Sequence, residues 1–272
     1  MRIGFIGVGA QGAPIAHRIA DAGFDLVVSD RNHDALQAFA GKAHLETDPL
    51  ALAAAADVVS VCVRTDRDLL DIAGDSRLFA AMPEGGVFVI HSTVSPELCR
   101  SLAAAAKAHG ITVVDAPVSG GAQRAASGHL VLLVGGEAQA VRRVRPVLES
   151  YGDPICYFGP CGRGMTAKLL NNLLLTANLE LAAATLEMGR ELGLDLDLLH
   201  TALLAGTSRS HALEAAPNLL SAGRSEALTL LVKDCGHAFE LGGPINASVG
   251  ALTHAAQAFQ ARLQQAAAMA RP

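Results

Sequence analysis

Gly7-Val8-Gly9-Ala10-Gln11-Gly12 has the spacing GxGxxG. It follows a short apolar run, Arg2 to Gly7, and opens a helical pattern from about Ala10 to Ala22. That context makes the spacing meaningful, because a glycine turn between strand and helix suits a pyrophosphate. Gly7 permits the tight turn, Gly9 lets the backbone approach the anion, and Gly12 allows close helix–strand contact. Ala10 and Gln11 lie between them at the helix start, where free N–H groups and the dipole favour negative charge. Asp30 closes a second apolar run 18 residues after Gly12. A carboxylate there accepts hydrogen bonds from an adenosine ribose, as NAD requires, whereas the adjoining Arg31 could face the 2′-phosphate of NADP. The pair leaves both dinucleotides open, with NAD favoured.

Three further constellations carry polar groups that could act on a small molecule. Ser92-Thr93-Val94-Ser95-Pro96 and Asp115-Ala116-Pro117-Val118-Ser119-Gly120-Gly121 each follow a strand-like run. In an open α/β sheet ligands sit at the carboxyl ends of strands. Ser119, Gly120 and Gly121 offer a hydroxyl and unobstructed N–H groups, a cradle for a carboxylate. In Gly162-Arg163-Gly164-Met165-Thr166-Ala167-Lys168-Leu169-Leu170-Asn171-Asn172, Lys168 shares a helix face with Asn172 four residues on. Such a pair inside a very apolar helix fits either a functional site or a solvated patch.

These residues need a frame to hold them. Apolar runs at 2–7, 25–30, 57–63, 86–91, 111–115, 130–134 and 155–158 alternate with helical patterns as far as about residue 161. Continuous β-branched runs between helices predict a doubly wound parallel sheet of Rossmann type over residues 1–161. From residue 162 to 272 the pattern is helical, opening with one long helix that Gly193 ends, and with loops at Gly206, Pro217, Gly223 and Gly242-Gly243-Pro244. The fold class is therefore α/β, with an all-α C-terminal domain joined by a long helix.

Composition excludes several classes. The 272 residues are 51% hydrophobic and 17% charged, so the chain is not disordered. A net charge of −5 and no basic run argue against nucleic acid and anionic membrane as partners. The most apolar stretch, 169–186, holds Asn171, Asn172, Asn178 and Glu180, a polar load unsuited to a membrane span. No signal peptide pattern opens the chain. The odd set of five cysteines has no CxxC and reads as small buried thiols of a reducing cytoplasm. The ten histidines show no metal spacing, so no metal is expected. His237, one turn after Lys233, could face the cleft but reads more readily as a surface or capping group, and His91, adjoining Ser92, leaves the same two readings open. The basic residues include only four lysines: Lys42, Lys107, Lys168 and Lys233.

Taken in order, GFIGVGAQG, HSTVSP, DAPVSGG, GRGMTAKLLNN and LLVKD resemble the motifs of the β-hydroxyacid dehydrogenase family over most of the chain, from Gly4 to about Gly243. The resemblance implies hydride transfer between NAD or NADP and a small 3-hydroxy acid or semialdehyde. It implies that Gly7, Gly9 and Gly12 hold the pyrophosphate and that Thr93 lies on the nicotinamide side. It further implies that Ser119, Gly120 and Gly121 bind the substrate carboxylate, Lys168 is catalytic and Asn172 orients the substrate. Lys233 would contact the cofactor–substrate region, and the protein would be a homodimer or homotetramer. A partly desolvated Lys could serve as general acid/base, a role closed to Arg because its guanidinium stays charged. The sequence departs from the family at Ala10-Gln11, at Val63-Arg64-Thr65-Asp66, at Arg124 and His129, and beyond Ala270, which bears on the substrate. The competing expectations are an imine reductase-like enzyme, against which Lys168 argues, and a non-catalytic dinucleotide sensor.

Overall fold

The computed structural model describes residues 1–221, 226–242 and 250–269. The chain forms two compact units, Met1–Lys168 and Leu169–Pro272. The division falls within the long helix, a few residues beyond the boundary expected at 161/162. Of the loops expected in the second unit, Gly223 and Gly243-Pro244 lie outside the described residues, as does the start of a helix at Ala247.

The first unit runs β1 (Arg2–Ile6), α1 (Gly12–Asp21), β2 (Asp25–Ser29), α2 (His33–Gln37), β3 (His44–Leu45), α3 (Pro49–Ala55) and β4 (Val58–Val61). It continues with α4 (Asp66–Ala73), α5 (Arg77–Ala81), β5 (Val87–Ile90), α6 (Pro96–Lys107) and β6 (Thr112–Asp115). Then come β7 (Val118–Ser119), α7 (Gly121–Ala126), β8 (Leu130–Val134), α8 (Ala138–Leu148) and β9 (Gly152–Tyr157). Strands β1 to β6 form a parallel sheet in the order β3-β2-β1-β4-β5-β6. The order reverses between β1 and β4, which places the glycine turn after β1 at the switch point where such sheets bind ligands. Two apolar layers cover the sheet. Phe5, Val28, Ile15 and Tyr151 belong to one, Leu52, Val59, Phe88 and Leu102 to the other. Burial on both faces is why the strands read as unbroken apolar runs.

The chain then departs from a single parallel sheet. Strands β7, β8 and β9 form a separate sheet in which β7 and β8 are antiparallel. Asp115 bridges the two sheets through paired backbone hydrogen bonds with Gly135.

α9 (Arg163–Glu191) spans the unit boundary, and Gly193, at φ +73°, lets the chain turn off behind it. The second unit continues with α10 (Leu196–Ala205), α11 (His211–Ser221), α12 (Glu226–Gly242) and α13 (Gly250–Met269). α11 runs through Pro217, which the sequence placed in a loop. Leu179, Leu213, Leu228 and Phe259 form one apolar cluster of this unit, and Leu169, Leu173, Cys235 and Ala256 another. By length and apolarity α9 could cross a membrane, yet its Leu169, Leu173, Ala177, Leu179 and Ala182 are buried in these clusters. Arg262 is held by Glu180 at 2.9 Å and Glu187 at 3.0 Å, which ties α13 to α9.

Candidate active site

The glycine turn is built for an anion. Gly7 has φ +93°, and a Cβ there would run into the backbone oxygen of Cys62. A Cβ on Gly12 would run into Gly7 O, so helix α1 can approach β1 this closely only with glycine. Gly9 faces open space on the side a Cβ would occupy. No side chain caps α1 at Gln11. Ala13 N is taken by Gly9 O at 2.8 Å, and the dipole of this helix start still favours an anion in front of it. Gln11 Nε2 is buried without a hydrogen-bond partner among the described residues. An orphaned donor and an open glycine face are what a bound dinucleotide phosphate satisfies, so the residues present fit NAD(P).

Asp30 follows β2 and braces this turn. Its Oδ2 accepts Val8 N at 2.8 Å and its Oδ1 accepts Asn32 N at 2.7 Å, leaving each oxygen capacity for a ribose hydroxyl. Arg31 is exposed and pairs with Asp68 Oδ1 at 2.8 Å. Asp68 Oδ2 takes the Thr65 hydroxyl at 2.6 Å within the capping box of α4. These bonds, Thr65 foremost, hold the Asp68 carboxyl below the usual range.

The loops after β4, β5 and β6 are locked to one another. Ser92 Oγ accepts Val63 N at 2.7 Å, which ties the loop after β4 to the loop holding half-buried Thr93. Ser92 therefore fastens these two loops together. His91 is a core residue. Its Nδ1 donates to Ala116 O at 2.8 Å, its Nε2 accepts from Tyr151 Oη at 3.2 Å, and its ring stacks on Phe5. Burial pushes its pKa down to about 4, so it is neutral at physiological pH. The bond joins the end of β5 to the residue beyond β6, so the Thr93 and Ser119 loops leave the sheet from a fixed base.

Ser119 is half-buried, and Gly120 (φ +132°) and Gly121 (φ +71°) are exposed. A Cβ on Gly121 would meet nothing within 4 Å, which leaves the cradle open. One on Gly120 would meet the stem of exposed Arg124, which lies across this loop.

Helix α9 presents Lys168 at the end of the first unit and Asn172 one turn further on. Both side chains are buried. Within the second unit Asn172 Nδ2 donates to Asp234 Oδ2 at 2.7 Å. Lys233 Nζ lies 3.1 Å from Asp234 Oδ1, an ion pair without hydrogen-bond alignment. Asp234 thus gathers Asn172 and Lys233. The sequence singled out Lys233 but passed over its neighbour, whose only signal was its place in the LLVKD motif. His237 is half-buried near Glu240, at 3.8 Å.

The cysteines are all unpaired, and burial pushes the Cys62 and Cys161 thiols up to about 12. Among the described residues no cluster of His, Cys, Asp and Glu could hold a metal ion.

Residues 2–161 match the family model for the NAD-binding domain of 6-phosphogluconate dehydrogenase. Residues 162–270 match the model described as NAD-binding of NADP-dependent 3-hydroxyisobutyrate dehydrogenase. The chain is 34% identical over 196 residues to an oxidoreductase of Mycobacterium tuberculosis, covering 72% of this chain and 66%, just under two thirds, of that protein. It is 32% identical over 270 residues to 2-(hydroxymethyl)glutarate dehydrogenase of Eubacterium barkeri, covering 96% and 88%. The structure of 3-hydroxyisobutyrate dehydrogenase of Mycobacterium tuberculosis with L-serine superposes with a TM-score of 0.84 at 28% identity, over 97% of this chain and 94% of that one. The chain belongs to the β-hydroxyacid dehydrogenase family of NAD(P)-binding oxidoreductases.

Proposed function

We propose that the protein transfers hydride between NAD(P) and a small 3-hydroxy acid or its semialdehyde, with Lys168 as general acid/base. Family membership across nearly the whole chain, together with a buried Lys168 one turn before a buried Asn172, carries this reading. Bound nicotinamide supplies the hydride acceptor, or the donor in the reverse direction. In oxidation Lys168 Nζ takes the hydroxyl proton as hydride leaves the carbinol carbon, and in reduction it returns a proton to the growing alkoxide. Asn172 holds the hydroxyl, while Ser119, Gly120 and Gly121 bind the carboxylate, so orientation lowers the barrier. Thr93 lies on the nicotinamide side, and Lys233 contacts the cofactor–substrate region.

NAD is the proposed cofactor. The Asp30 carboxylate at the ribose end opposes a 2′-phosphate, and the Arg31 guanidinium is already paired with Asp68. The five unpaired thiols fit the reducing cytoplasm. The partner we infer is a second copy of the chain, as a homodimer or homotetramer. Leu170, Leu174, Leu181 and Met188 recur at spacings of four and seven along α9, and each is more than half exposed.

A screen of small 3-hydroxy acids, L-serine and semialdehydes with both cofactors tests the activity. Lys168→Ala should lower kcat by about 100-fold or more while NADH still binds. Unchanged kcat would remove Lys168 from the chemistry, and turnover of cyclic imines alone would replace the reading.

A further inference from the structure

The carboxylate of Asp115 is fully buried at the end of β6, and both of its oxygens are used by a segment far away in sequence. Oδ1 accepts Gly162 N at 2.7 Å and Oδ2 accepts Met165 N at 2.7 Å. Gly162 stands just before α9 and Met165 in its first turn, and these are among the N–H groups at a helix start that no preceding carbonyl serves. Asp115 therefore caps this helix from a strand 47 residues upstream of Gly162. Its own backbone is fixed as well, since Asp115 N donates to Gly135 O and Gly135 N to Asp115 O.

Two further contacts close the same turn. Val94 N, next to Thr93, donates to the buried Met165 Sδ at 3.4 Å. Gly164 lies backbone-to-backbone on β8, where a Cβ would run into Leu133 O and Gly135 N. The first turn of α9 is thus joined to the Thr93 loop through Met165 and to the strand that leads into the Ser119 loop through Asp115. Lys168 is three residues beyond Met165, one turn along the same helix. All of these residues lie in the first unit.

We propose that Asp115, with Met165, is a positioning residue: it fixes the origin and axis of α9, and so where the Lys168 ammonium stands relative to the Thr93 and Ser119 loops. A helix end held by one exposed side chain would fray and let a residue one turn in wander by about 1 Å, enough to cost about 100-fold in a reaction that needs alignment. A buried carboxylate with two short, charge-assisted bonds removes that freedom. The inference rests on the reading of Lys168 as the acid/base.

Asp115→Asn keeps the shape but turns an acceptor into an N–H donor facing another donor. We expect kcat to fall by about 10- to 100-fold, with the NADH dissociation constant within about twofold and circular dichroism unchanged. In a Lys168→Ala background the same substitution should change kcat by less than about threefold, because a residue acting through Lys168 has nothing left to position. A folded Asp115→Asn enzyme with wild-type kcat overturns the proposal. So does a loss that multiplies fully with that of Lys168→Ala, or one shared equally by NADH binding. Should Asp115→Asn not fold, Met165→Leu keeps the volume and deletes the Val94 contact. A lower kcat at unchanged NADH affinity then supports the clasp, and wild-type kcat overturns it. If Lys168→Ala alone leaves kcat intact, the acid/base reading itself has failed, and that outcome is separate from any result at Asp115.

Discussion

Asp234 Oδ2 accepts a hydrogen bond from Asn172 Nδ2 at 2.7 Å, across 62 residues of sequence. Asp234 is buried, and its carboxylate also faces the Lys233 ammonium. A buried amide that has lost its acceptor reorients or pays for its desolvation, about 1–3 kcal/mol. Asp234→Asn keeps an acceptor for Asn172 but removes the counter-charge of Lys233, whereas Asp234→Ala removes both. We therefore expect kcat/KM to fall in the order wild type, Asp234→Asn, Asp234→Ala, the last by about 100-fold (roughly 2.7 kcal/mol). Steady-state kinetics with thermal melts on each variant check this. A folded Asp234→Ala with wild-type kinetics would remove Asp234 from the site.

Cofactor choice should turn on the Arg31–Asp68 pair. Its Arg31 side chain is 83% exposed, and a pair this open to water is worth under about 1 kcal/mol. A 2′-phosphate can compete for Arg31 once the counter-charge is gone. Asp68→Asn should raise kcat/KM for NADPH several-fold and leave NADH within about twofold. Arg31→Ala should depress NADPH use alone. The ratio of the two cofactor efficiencies is the readout, and a ratio unmoved by both substitutions would mean that Arg31 does not face the ribose.

The parts of this molecule visible in its sequence are those encoded locally. Gly7, Gly9 and Gly12 announce the turn because each glycine answers a steric demand within a few residues, and the buried strands announce themselves as apolar runs. The long helix and its Gly193 stop are legible for the same reason. The second sheet was hidden because β7 is the two-residue segment Val118–Ser119, too short to show any period. α11 was hidden because Pro217 reads as a break, although tertiary packing of Ala212, Leu213 and Ala216 carries the helix past it. Asp115 and Asp234 look like ordinary acidic residues in one dimension. Their roles come from partners 47 to 62 residues away, which no local pattern encodes.

Stability should fall on mild acidification through His91. Its Nδ1–H points at Ala116 O, so its Nε2 is the lone-pair side that receives the Tyr151 hydroxyl. Protonating Nε2 would place a cation in the apolar core with no counter-charge among the described residues, even though the Tyr151 hydroxyl can turn to accept its proton. The folded pKa of about 4 lies below the ordinary 6.5 because burial penalises the cation. Between those values the unfolded chain binds a proton that the folded chain refuses, so stability is complete above about pH 6.5 and declines as the pH falls towards 4. The full loss is about 3 kcal/mol. His91→Phe keeps a ring against Phe5 and removes the titration. It lowers stability at pH 7, because Ala116 O and Tyr151 Oη lose their partner, but its unfolding free energy should change less between pH 7 and pH 4.5 than that of the wild type. Urea unfolding of both proteins at the two pH values measures the difference. Equal changes would show that His91 does not supply the acid sensitivity of the fold.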